Sequence, residues 1–186
     1  PAPRFNPRIA IGGIVALLAV FAALAFFAVA SKAPTYDEPL HALAGWQQLW
    51  LHDFRVHPED PPLWKYWAAL PNGPHAIQAP TNTRAFSNVA ADTNEQWYYV
   101  VETLYRTEGN DADTFILRSR AMMLVVSVAL GVAIAWFAWQ LAGALAALVA
   151  TLFYCLDPNV LAYAALVKND ISLSLVMLGL CWAIWR

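Results

Sequence analysis

The chain alternates between long charge-free blocks and one mixed polar segment. Ile9 to Ala30 carries no charge over 22 residues, enough for a helix to cross a hydrocarbon core about 30 Å thick. The second block, Ala121 to Leu156, runs 36 residues without a charge, too long for one crossing and right for two. Gln140 and Gly143 mark a hairpin between helices predicted near Ala121–Trp139 and Ala144–Leu156. Asp157-Pro158-Asn159 ends the second of these, Leu161 to Val167 suits a short helix shallow in the interface, and Ile171 to Trp185 begins a fourth crossing before Arg186. Ala28-Val29-Ala30 resembles a signal-peptidase site, but the apolar core of a signal peptide is about 7–15 residues, so a retained first helix is expected.

The intervening segment, Ser31 to Arg120, predicts short amphipathic helices. Pro39 suits a first helical turn with Asp37 or Glu38 near the cap, and Leu40, Leu43, Trp46, Gln47, Trp50 and Leu51 follow at helical spacing. Pro62 to Leu70, with Trp64, Tyr66 and Trp67, predicts a second helix. Thr93 to Glu108 predicts a third, with Trp97, Val100, Val101, Leu104 and Tyr105 on one face, ended by Glu108-Gly109-Asn110-Asp111. Tryptophan and tyrosine favour the headgroup level, so these helices are expected to lie along a membrane. Pro71 to Asp92 reads as loop.

Composition agrees. Hydrophobic residues make up 60% of the 186 and charged residues 13%, about half the share typical of soluble domains. The expected fold is therefore all-α and polytopic: a first transmembrane helix over 9–30, an extracytoplasmic loop over 31–120, and further transmembrane helices over 121–186. All 13 acidic residues lie within Asp37–Asp113 and Asp157–Asp170, whereas Arg4, Arg8 and Arg186 flank the apolar blocks. With a cytoplasmic N-terminus, four crossings place both acidic windows outside and these arginines inside. No basic patch with interleaved aromatics is present, which argues against nucleic acid. Cys155 and Cys181, both in apolar runs, read as small buried hydrophobes. The missing initiating Met and the short last apolar run lead us to expect a piece of a longer protein.

The candidate chemistry is concentrated just after the first apolar block. Asp37 and Glu38 abut it, and Glu59-Asp60-Pro61-Pro62 follows. Asp37 and His41, four apart, share a helix face, whereas adjacent Asp37 and Glu38 diverge by about 100°. His52, His57 and His75 read as surface residues.

Tyr36-Asp37-Glu38-Pro39-Leu40-His41 after a first apolar helix resembles the first extracytoplasmic loop of GT-C glycosyltransferases. The similarity is strongest to the bacterial phospholipid-carrier-dependent branch, related to protein O-mannosyltransferases and the aminoarabinose transferases of lipid A. It extends through Phe54-Arg55, Pro58-Glu59-Asp60-Pro61-Pro62-Leu63-Trp64-Lys65 and Ala68–Pro71. It resumes at Arg118–Arg120, Gly143, Asp157–Ala162 and Val167-Lys168-Asn169-Asp170. The chain departs from the family at Asp60, where His is frequent, and at Lys168-Asn169, where Thr-Thr is frequent.

The resemblance implies inverting transfer of a sugar (mannose-like, another hexose or a pentose) from a polyprenyl-phosphate carrier to an extracytoplasmic hydroxyl on protein, lipid or glycan. It implies Asp37 as general base and Glu38 as its orienting acidic neighbour. His41, Glu59, Lys65, Arg120 and Asp170 are the implied substrate contacts, with Lys65 or Arg120 meeting phosphate. Asp37 and Asp170, on the same outer side, are candidates to converge on a divalent ion: Mg²⁺, Mn²⁺ or Ca²⁺ by their oxygens, or Zn²⁺ with His41 nearby. The implied location is a bacterial inner membrane, with the site on its outer face. The alternative is a non-catalytic scaffold or carrier-lipid-binding subunit that keeps part of the fold. A transporter segment ranks last, because the spans hold few polar residues beyond Ser127, Thr151, Ser172 and Ser174.

Overall fold

The computed structural model describes residues 5–186, so Arg4 lies outside the described residues. The described residues are helical and contain no strand. The helices are α1 (Pro7–Ala30), α2 (Glu38–Trp46), α3 (Pro62–Ala69), α4 (Arg84–Asn88), α5 (Thr93–Val101), α6 (Ala112–Ala142), α7 (Ala144–Leu156), α8 (Pro158–Tyr163) and α9 (Asp170–Trp185). Wider, π-type turns extend α2 over Gln47–Leu51 and α5 over Glu102–Arg106. Two helices, α1 and α6, are long and apolar enough to cross a membrane, while α7 and α9 are shorter apolar helices.

The chain divides into two compact units. One comprises α1, α7, α8, α9 and the later part of α6. Here α1 packs on α7, and Phe21 and Tyr154 meet with ring centres 5.3 Å apart. Two buried hydroxyls of this unit are paired: Tyr154 donates to the Ser127 carbonyl (2.7 Å), and Ser127 donates to the Ala164 carbonyl. Its outer surface is unusually apolar, with Ile9, Val15, Phe27, Phe153, Val176 and Ile184 all exposed. Cys155 is buried as expected, but Cys181 is exposed on α9.

The other unit holds residues 32–123 and the short return 166–168. Every residue of α2 is buried, and α2 packs against α3 and α5. At Gly45 a Cβ would stand 2.6 Å from the Lys65 carbonyl oxygen, a backbone atom with little room to retreat. Gly45→Ala should therefore lower stability by about 1–3 kcal/mol, read as a drop in the thermal midpoint of the purified chain, while Gly73→Ala, which meets open space, should not. From α6 this unit takes one buried stripe, Ala112, Phe115, Ile116, Ser119, Arg120 and Met123, at alternating spacings of three and one.

Five expectations need correction. The α6 helix starts at Ala112, before the predicted Ala121, because Asp111 Oδ1 accepts the Thr114 N–H (2.9 Å) and starts the helix while Arg118 and Arg120 ride on it. The predicted loop 71–92 contains α4, capped by Thr83 through the Phe86 N–H. The short helix expected at Leu161–Val167 is α8 instead, started by Pro158 with Asp157 accepting from the Asn159 and Val160 N–H groups. The buried face of α5 and its extension is turned by one residue. Gln96, Tyr99, Val100, Thr103 and Leu104 are buried, whereas Val101 and Tyr105 are exposed. Polar tips are the reason, since Tyr99 accepts a hydrogen bond from Gln47 Nε2 (2.8 Å) and Gln96 Oε1 accepts the His57 N–H (3.1 Å). Finally, His57 is buried, although His52 and His75 are on the surface as expected.

Candidate functional site

The site is built at the start of α2. Asp37 occupies the N-cap position, but its side chain accepts no N–H from the helix. Its Oδ2 accepts instead from Lys168 Nζ at 2.9 Å, and the carboxylate remains partly open to solvent. That ammonium contact holds the Asp37 carboxyl below the ordinary aspartate value, outweighing the opposing effect of partial burial.

Glu38 turns the other way and is fully buried. Burial alone would raise its pKa, but hydrogen bonds from Arg120 and from the N–H groups of Thr35 (2.7 Å) and Val167 (3.1 Å) leave it lowered. The Arg120 contact is a two-pronged ion pair: Nε to Oε1 at 2.9 Å and Nη2 to Oε2 at 2.7 Å. The same guanidinium donates to the carbonyls of Lys32 (2.9 Å) and Ala33 (3.3 Å). Glu38 and Arg120 therefore tie the beginning of α2, the strand of chain leaving residue 32, the return at 166–168 and α6 into one node. The Arg120 fork, expected at a phosphate, is engaged by Glu38 in the structure.

One turn along α2, His41 donates from Nδ1 to the Val167 carbonyl at 2.8 Å. Its Nε2 lies 3.8 Å from Asp60 Oδ2. His57 sits beside it, with ring centres 4.8 Å apart. Glu59 is exposed and reaches His57 Nε2 at 3.6 Å. Lys65 does not reach outward along an interface as a snorkelling lysine would: it is fully buried, and Nζ donates to the His57 carbonyl at 2.8 Å. Burial lowers its pKa. Asp170 opens α9 in the other unit, exposed, with its backbone carbonyl accepting from Ser174.

The structure thus gathers Asp37, Glu38, His41, Lys65 and Arg120 in one unit and adds Lys168, His57 and Asp60. The added residues had weak sequence signals. Lys168 stood out only as a family departure, and His57 lies in a polar loop whose burial comes from Gln96 on α5. No family model matches this chain, and no curated protein or solved structure matches it.

Proposed function

We propose that this chain belongs to a GT-C-like membrane glycosyltransferase that uses a polyprenyl-phosphate sugar donor, with Asp37 as general base. The observation that carries the reading is the split of the acid pair. Glu38 is locked inside by Arg120, and this fixes the backbone from which Asp37 presents a partly exposed, ionised carboxylate. An acceptor hydroxyl at that oxygen would lose its proton to Asp37 as the sugar's bond to phosphate breaks, while Lys168 supplies a nearby positive charge for the departing phosphate. The family resemblance supplies the reaction class and the carrier lipid.

A four-span arrangement, with α7 and α9 joining α1 and α6, accompanies this reading, together with a multi-pass location in a bacterial inner membrane and α2–α5 on its outer face. Supporting it are the exposed apolar side chains of the α1/α7/α9 unit and an aromatic cluster of Trp136, Phe137, Trp182 and Trp185 beside Arg186, as expected at a membrane boundary.

One observation favours the second reading, a carrier-lipid-binding scaffold. The Lys168 contact lowers the basicity of Asp37, and an efficient general base titrates nearer the working pH. The deciding experiment is transfer from a labelled polyprenyl-phosphate sugar in membranes expressing the full gene, wild type against Asp37→Asn. Loss of transfer at equal expression supports the base. Equal transfer by both forms removes it, and carrier binding without transfer by either form selects the scaffold.

A further inference from the structure

Beside the acid pair, His41, His57 and Asp60 bring three metal-binding atoms within 4.8 Å of one another. His41 is oriented for this. The Val167 carbonyl can only accept, so His41 Nδ1 carries the hydrogen and the lone pair on Nε2 faces Asp60 Oδ2 at 3.8 Å. A backbone carbonyl fixing the far nitrogen is the usual support of a metal-bound histidine.

His57 adds the second observation. Its ring is buried, and Nδ1, 3.8 Å from Asp60 Oδ2, has no hydrogen-bond partner. Buried ring nitrogens are ordinarily paired, so an unpaired one aimed at a carboxylate and a second imidazole calls for a ligand. The residue is also in a left-handed backbone conformation, φ 50°, which is uncommon for a side chain other than glycine. Here the Gln96 side chain takes the His57 N–H and Lys65 Nζ donates to its carbonyl. Both backbone groups are clamped, and the ring is left pointing at His41 and Asp60. Glu59 lies 3.6 Å from His57 Nε2, on the opposite side of the ring, where it would favour a hydrogen on that nitrogen.

We infer that His41 Nε2, His57 Nδ1 and an Asp60 oxygen bind one divalent first-row transition ion of the Zn²⁺ type. Two imidazoles and one carboxylate favour such an ion over Mg²⁺ or Ca²⁺, whose ligands are oxygens. Donors in a tetrahedral zinc site stand about 3.3 Å apart at bond lengths of roughly 2.0–2.1 Å, so the observed separations of up to 4.8 Å must shorten on binding. Three protein ligands leave a fourth position for water or substrate. This site is distinct from the Asp37–Asp170 pairing suggested by the sequence, and it does not depend on the glycosyltransferase reading.

The test uses the full chain, purified in detergent, stripped with chelator and titrated with Zn²⁺ alone, then with Co²⁺ as a spectroscopic probe. The expected result is one tightly held Zn²⁺ per chain and visible Co²⁺ bands of a low-coordinate nitrogen–oxygen site. Asp60→Asn and His57→Ala should each weaken binding at least tenfold, and surface His52→Ala should not. The wild-type titration decides even where a variant fails to fold. No stoichiometric uptake, as for a metal-free histidine–aspartate pair, would overturn the inference, as would equal loss in His52→Ala and His57→Ala.

Discussion

Arg120→Met should cost the protein about 3–5 kcal/mol, because it strands the Glu38 carboxylate at a fully buried position. Total stabilities are about 5–15 kcal/mol, so most of the folded protein should be lost at moderate temperature. The loss is measurable as a lower thermal midpoint and a smaller monodisperse fraction of the purified chain. Glu38→Ala should do the same by stranding Arg120. The combined Glu38→Leu/Arg120→Met variant should recover only part of the loss. Replacing a buried pair with apolar residues is often harmless, but here Glu38 also accepts two backbone N–H groups and Arg120 serves two carbonyls, all left unpaired. Single variants that unfold like the wild type would show that the node does not hold the unit together.

The same pair sets an acid limit. The folded-state pKa of Glu38 lies below its ordinary value of 4.5, so its contribution is fully present above pH 4.5. It falls away as pH drops below 4.5 and through the folded value. In the Glu38→Leu/Arg120→Met background that part of the acid unfolding should disappear, a result that thermal scans across pH 3–6 would read.

The sequence made the element types legible where the signal is local. Charge-free runs announced α1, α6 and α7, Pro39 and Pro62 marked the first turns of α2 and α3, and Gly143, at φ 84°, marked the break between α6 and α7. The chemistry-bearing residue types were legible too, since Asp37, Glu38, His41, Lys65 and Arg120 all stand in or beside the motifs the sequence displays. Their partners were not. Glu38 meets Arg120 across 82 residues, and Asp37 meets Lys168 across 131, distances at which periodicity carries no information. Lys65 stands among aromatic neighbours with nothing local to show its partner, and the His57 carbonyl draws it inward. The α5 face was misplaced because Gln96, Tyr99 and Thr103 count as polar in a hydrophobic pattern, although Tyr99 and Gln96 are buried with their polar tips paired. Buried polar residues with distant partners are what hid the site, whereas the starts of α4, α6 and α8 turn on local caps.

On the proposed glycosyltransferase reading, Asp37→Asn should lower glycosyl transfer by 10²–10⁴-fold, the usual worth of a general base, equivalent to about 3–5 kcal/mol of transition-state stabilisation. Folding should survive, because the Asp37 carboxylate is partly exposed and caps no helix N–H. Lys168→Met separates this base from a carboxylate that merely anchors Lys168. Lys168 lowers the Asp37 pKa chiefly by its hydrogen bond, so removing it should raise that pKa toward the ordinary 3.8. A base must be ionised, so the acid limb of kcat/KM against pH should then move upward relative to wild type, while activity near neutrality falls through loss of the positive charge beside the phosphate. An unmoved acid limb, with Asp37→Asn still active, would assign Asp37 to anchoring Lys168 and leave the carrier-lipid scaffold as the better account of this surface.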